Sequence, residues 1–164
     1  MFLKMDGVTG ESLDEFHPGE IELFGWKWSV DDNTSMEASQ SAGADKSAHQ
    51  DIEITKVIDR ASVTLLQYMT LGTPTNATLT LRKKDGDRKI EYLVITLKHV
   101  KVSTIQWSGT ASAKDADGGG ALPEVVTLNF GEYQMNYTPQ ANLLEQQVAG
   151  SIQYKYNVSE KKPA

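Results

Sequence analysis

Apolar and polar residues alternate over short runs along this chain, the side-chain period of a β-strand, and several runs change phase partway along. In EYLVITLKHVKVSTIQW, residues 91–107, apolar side chains fall on odd positions (Leu93, Ile95, Leu97), move to even ones (Val100, Val102), then return to odd (Ile105, Trp107). Each change turns the apolar face to the other side of a sheet unless the backbone takes up an extra residue. Bulges are therefore expected near Lys98-His99 and Ser103-Thr104. The same slip occurs around Gly25, between Ile21, Leu23 and Trp26, Trp28, Val30. It occurs again around Gly131, between Val126, Leu128, Phe130 and Tyr133, Met135, Tyr137. Glycine commonly marks a bulge, and bulged strands bend sheets as a sandwich or barrel requires.

Further strands are expected at Phe2 to Met5, at Asp51 to Ile58, around Ala77, Leu79 and Leu81, and at Ile152, Tyr154, Tyr156 and Val158. Asp85-Gly86 supplies a hairpin turn. Only IDRASVTLLQYMTLGTP changes to a helical period: Ala61, Leu65, Tyr68 and Met69 recur at three and four residues, Ser62 can accept an early helical N–H, and Gly72 with Pro74 ends the run. In the first half of 91–107, Tyr92 and Val94 make the even face apolar beside Leu93 and Ile95, so Tyr92 to Ile95 is expected to be covered on both faces. The polar stretch from Asp31 to Gln50 exceeds the roughly 12–15 residues above which a loop is usually functional or disordered. Residues 109–123 read as a surface loop, and EKKPA as a frayed polar tail.

Composition narrows the function. The 164 residues suit one domain, and the absence of cysteine removes disulfides, thiolate metal sites and a Cys nucleophile. Sixteen Lys and Arg against twenty-two Asp and Glu leave a net charge of -6, which repels a phosphate backbone, so nucleic acid is not an expected partner. No run is apolar enough for a membrane span, and MFLKMDGVTGES lacks the pattern of a signal peptide.

Chemistry is sparse. His17, His49 and His99 sit in different segments without metal-ligand spacing, and Asp115-Ala-Asp117-Gly118 lacks the oxygen spacing and closing Glu of a calcium loop. The carboxylate pairs Asp31-Asp32 and Asp51/Glu53 read as hydrated, no G-x-S-x-G or phosphate-loop motif occurs, and the glycines at 118–120 precede no helix. Trp26 and Trp28 share one strand face with Lys27 on the other, an arrangement read as core aromatics with Lys27 directed to solvent or to an assembly surface.

Four blocks, GVTGESLDEFHPGEIELFGWKWSV, IDRASVTLLQYMTLG, EYLVITLKHVKVSTI and VVTLNFGEYQMNYTPQ, resemble in order the haemolysin-coregulated protein (Hcp) family of type VI secretion systems, over nearly the whole chain. The resemblance implies a mostly β fold: a bent two-sheet β-barrel with one short flanking α-helix at about residues 62–71, in a single domain 1–158 with a polar tail 159–164. It implies homohexameric rings that stack into an inner tube, with the contractile sheath, the spike and small lumenal effectors as further partners. It also implies assembly in the bacterial cytoplasm, export without a signal peptide, and neither catalytic residues nor cofactor nor metal.

Against that pattern Lys27 is assigned to a lumen or solvent face, and Asp31, Asp32, Ser35, Glu37, Gln40, Asp45 and Lys46 to a loop between rings, although this loop is less glycine-rich than the family's versions. The alternative is a monomeric β-barrel module holding a small ligand or carbohydrate against Trp26 and Trp28. An enzyme would require the three histidines to converge.

Overall fold

The structure, a computed structural model, describes residues 1–32, 47–85, 88–109, 122–139 and 150–164. Its elements in chain order are β1 (Phe2–Met5), β2 (Ile21–Glu22), β3 (Gly25–Lys27), β4 (Val30–Asp32), β5 (Ser47–His49), β6 (Ile52–Val57), α1 (Arg60–Leu71), β7 (Thr75–Asp85), β8 (Arg88–Trp107), β9 (Pro123–Asn129), β10 (Glu132–Tyr137), β11 (Ile152–Asn157) and β12 (Lys162–Pro163). Among the described residues the fold is mostly β with one helix, as the periodicity predicts.

Two antiparallel sheets share the 20-residue β8. The first runs β12-β11-β10-β8-β7-β1-β2, and the second extends from β8 through β9 and β6 to β3. The N-terminal half of β8 pairs with β7 and β10, and its C-terminal half, from Lys101, pairs with β9. The two expected bulges account for the passage. Thr75 faces Val100 whereas Ala77 faces Leu97, which leaves an extra residue in β8 at 98–99, and the ladder to β9 shifts again between Val102 and Thr104. His99 takes φ 54, a left-handed conformation that histidine visits more readily than most side chains. Beside this bend the neighbouring chain breaks as well. A Cβ on Gly131 would lie 3.3 Å from His99 Cβ and 3.2 Å from Ser159 Oγ, so the close approach suits glycine.

The slips at Gly25 and Gly131 prove to be crossings between sheets rather than bulges. β2 belongs to the first sheet and β3 to the second, and β9 belongs to the second and β10 to the first. A chain that moves to the facing sheet must re-aim its apolar side toward the same core, which produces the same change of parity as a bulge. The expected barrel is also corrected: the sheets pack and bend but do not close, because β2 and β12 end one sheet and β3 ends the other.

The core lies between the sheets. The cross-strand row Leu3, Leu79, Ile95 of the first sheet and the positions Ile54, Val126 and Ile52, Leu128 of the second are at most 1% exposed. Each such side chain contributes about 1.5–3 kcal/mol by leaving water. Ala61 and Leu65 of α1 complete the packing.

The helix begins two residues before the expected start. Asp59, in extended conformation, accepts the Ala61 N–H, and Ser62 at the third helical position accepts the Asp59 N–H, a reciprocal capping box. Gly72 closes the other end at φ 63 and donates to the Met69 carbonyl. The tail does not fray as expected: it doubles back as β12, pairing Lys162 with Asn157 and Pro163 with Tyr156.

Candidate assembly surfaces

The inward face of β6 reads Ile52, Ile54, Lys56 and that of β9 reads Glu124, Val126, Leu128, so the register places Lys56, Glu124 and Trp107 in one cross-strand row. Lys56 and Glu124 are 1% and 0% exposed. Lys56 Nζ lies 2.6 Å from Glu124 Oε2 and 2.7 Å from Asp59 Oδ1, and it also donates to the Val57 carbonyl and to Ser62 Oγ. The Ser62 hydroxyl donates to Glu124 Oε2 at 2.6 Å, and the Trp107 indole N–H donates to Glu124 Oε1 at 2.8 Å. Buried charges persist only when paired and fully hydrogen-bonded, and this pair meets both conditions. It ties the N-terminus of α1 to three strands. Sequence reasoning missed it, although two opposite charges at apolar-parity positions of two strands were its signal.

A second polar cluster fixes the loop between β1 and β2. Arg82 Nη1 lies 2.6 Å from Asp14 Oδ1, Lys89 Nζ lies 3.1 Å from Asp14 Oδ2, and the Phe16 N–H donates to Asp14 Oδ1. These donors, Arg82 foremost, hold the Asp14 carboxyl far below the usual carboxylate range. The Arg82 guanidinium stands 5.5 Å from the rings of both Phe2 and Phe16. His17 stacks on Phe2 at 4.2 Å, with Nδ1 2.9 Å from Glu20 Oε2 and Nε2 3.3 Å from Glu91 Oε1. Phe2 alternates with the core residues Leu3 and Met5, so the loop covers the face of the first sheet turned away from the core. Held this way, the loop presents Leu13, 98% exposed, and Phe16, 69% exposed.

At the other side of that sheet, the core-facing rows run on past the cover. From Ile95, 0% exposed, one row passes through half-buried Met135 to Tyr154, 51% exposed. The next passes from buried Leu81 through half-buried Leu93 to Tyr137 and Ile152, 64% exposed. Tyr133, in the row behind, is edge-on to Trp28 and near Tyr154 and Tyr156. Its hydroxyl is pushed up to about 12, by burial first and by the two neighbouring tyrosines second.

The sequence-assigned positions are dispersed. Lys27 is exposed and stands opposite Glu53 in the register of the second sheet. Trp26 and Trp28 are half-buried against the core, and the Trp28 indole donates to the Gln50 carbonyl. Asp31 is exposed on β4 and accepts from Gln50 Nε2, and Asp32 pairs with Ser47. Ser35, Glu37, Gln40, Asp45 and Lys46 lie outside the described residues, as do Gly86, Asp115, Asp117 and the glycines at 118–120.

Ile95 is fully buried, whereas Tyr92, Leu93 and Val94 are half-buried. Tyr92 is the extra residue of a third register shift, opposite Leu81/Arg82, and packs with Leu93 against the core. His17 sits in the loop, His49 against the Tyr156 and Tyr133 rings, and His99 at the bend of β8. Among the described residues no group of three or more His, Asp or Glu could hold a metal ion, and no helix is long and apolar enough to cross a membrane.

Residues 2–137 match the family described as "Type VI secretion system effector, Hcp". Protein hcp1 of Pseudomonas aeruginosa is 36% identical over 159 residues, covering 96% of this chain and 94% of that protein. Hcp1 from Salmonella typhimurium matches with a TM-score of 0.78 at 29% identity, over 99% of this chain and 97% of that one. A type VI secretion system effector from Yersinia pestis matches at 0.71 and 27% identity, over 96% and 98%.

Proposed function

Because the chain belongs to the Hcp family of type VI secretion system proteins, we propose that it is a tube subunit. Six copies close into a ring, rings stack into an inner tube, and the tube is exported with the machine and carries small effectors in its lumen. The sheath surrounds this tube and the spike caps it. The observation that carries the reading is the apolar surface of the folded protomer: Leu13 and Phe16 on the β1–β2 loop and Ile152 and Tyr154 on β11 are half to almost fully exposed. Large apolar side chains held in fixed positions mark surfaces that another protein covers. A heterologous contact between two different patches, repeated around an axis, closes a ring.

In this reading Lys27 faces the lumen or solvent, a neighbouring copy covers part of the Tyr92–Ile95 stretch, and the segment from Asp31 to Lys46 reaches toward the next ring. Deleting residues 31–50 should leave the ring intact and reduce stacking, seen in electron micrographs as single rings in place of short tubes. A deletion that unfolds the protomer would instead make the segment part of the core and contradict its assignment.

A further inference from the structure

The β1–β2 loop is fastened to the first sheet by two clasps of different chemistry. One is the carboxylate of Asp14 on Arg82 and Lys89. The other is His17, 5% exposed, whose ring has a carboxylate on each side: Nδ1 lies 2.9 Å from Glu20 Oε2 in the loop, and Nε2 lies 3.3 Å from Glu91 Oε1 on β8. The first contact is a hydrogen bond. The second is not, and among the described residues the buried Nε2 has no hydrogen-bond partner.

A neutral imidazole carries one N–H. With that hydrogen on Nδ1, the Nε2 lone pair faces a carboxylate oxygen, so two acceptors oppose each other. With the hydrogen on Nε2, the same opposition moves to Glu20. Only a ring protonated at both nitrogens donates to both carboxylates. The other charges on this face are Glu22 of β2, opposite Phe2 in the register, Lys4 of β1, and Arg82 of β7, which stands 5.5 Å from the Phe2 ring on which His17 stacks. Arg82 is itself paired with Asp14. Burial of the ring opposes its charge, and charge-assisted bonds to two carboxylates offset that cost. The Glu91 side chain is 46% exposed and has room to close the remaining few tenths of an ångström.

We propose that His17 is a proton-operated latch: a proton taken from solvent at Nε2 closes the contact to Glu91 and fastens the loop to β8, and its loss releases that contact. The charged ring makes one hydrogen bond more than the neutral ring, and it does so only in the folded chain. Ordering of the loop therefore takes up a proton. The hold strengthens as the pH falls through the range in which histidine titrates, about 5 to 8, and weakens as the pH rises through it. The latch acts on the segment that presents Leu13 and Phe16, and it stands whether or not the chain closes into rings.

Amide hydrogen exchange tests it. The Gly10, Ser12 and Gly19 N–H groups close the loop's own hydrogen bonds. In the wild type their protection factors should be about two- to fivefold higher at about pH 5.5 than at about pH 7.5. Glu91→Gln should remove that difference, because an amide donates to the neutral ring as readily as it accepts from the charged one. The same substitution should lower the titration midpoint of the His17 ring, read from its Hε1 chemical shift. Comparing the two proteins cancels His49 and His99, which titrate over the same range. Equal protection at both pH values in the wild type, an equal pH dependence in both proteins, or a His17 midpoint that does not move would each overturn the latch.

Discussion

Asp14 shows how a single carboxylate can set the conformation of a loop. It accepts from Arg82, Lys89 and the Phe16 amide at once, and these donors favour its charged form. Its pKa is depressed in the folded chain, so the stabilisation is present above the unfolded value near pH 4 and is lost as the pH falls below it. Asp14→Asn should lower the melting temperature by a constant amount from neutral pH down to about pH 4, and the gap should close as the pH falls further.

Tyr133 carries the opposite sign. Its hydroxyl is pushed up to about 12, so folding favours the neutral form, and stability should be lost as the pH rises from about 10 toward about 12. Tyr133→Phe should remove that part of the alkaline loss in thermal melts. Neither role was legible in the sequence. Both arise from side chains far apart in the chain, Asp14 with Arg82 and Tyr133 buried beside Tyr154 and Tyr156, which local periodicity does not report.

At the scale of elements, β8 is the piece that lets one chain build two sheets. Its changes of parity were legible because a period of two leaves a trace whenever a residue is added, and the bulges at 98–99 and 102–104 stand where the alternation breaks. The slips at Gly25 and Gly131 left the same trace for a different reason, and sequence parity alone does not separate a bulge from a change of sheet. The early helix start was hidden because capping is a hydrogen-bond property of Asp59 and Ser62, whereas the apolar period begins only at Ala61.

The Lys56–Glu124 pair anchors that helix. Lys56→Met alone leaves Glu124 buried without its cation and should cost about 3–5 kcal/mol in chemical denaturation, whereas Lys56→Met combined with Glu124→Leu should recover most of the loss. A double variant as unstable as the single one would mean that the surrounding hydrogen bonds, not the charges, hold α1 in place.

At the scale of the whole molecule, family membership and the mostly β fold could be read from four sequence blocks. The surfaces that an assembly would use could not. Exposure of Leu13, Phe16, Ile152 and Tyr154 depends on where neighbouring elements stop covering an apolar row, and alternation gives the same pattern for a covered and an uncovered strand.

The proposed tube places these apolar surfaces in a closed ring of identical copies. Native mass spectrometry of the intact chain at tens of micromolar tests it most directly. The prediction is a dominant species of six protomers with few intermediates, and a spectrum of monomer alone at that concentration would contradict it.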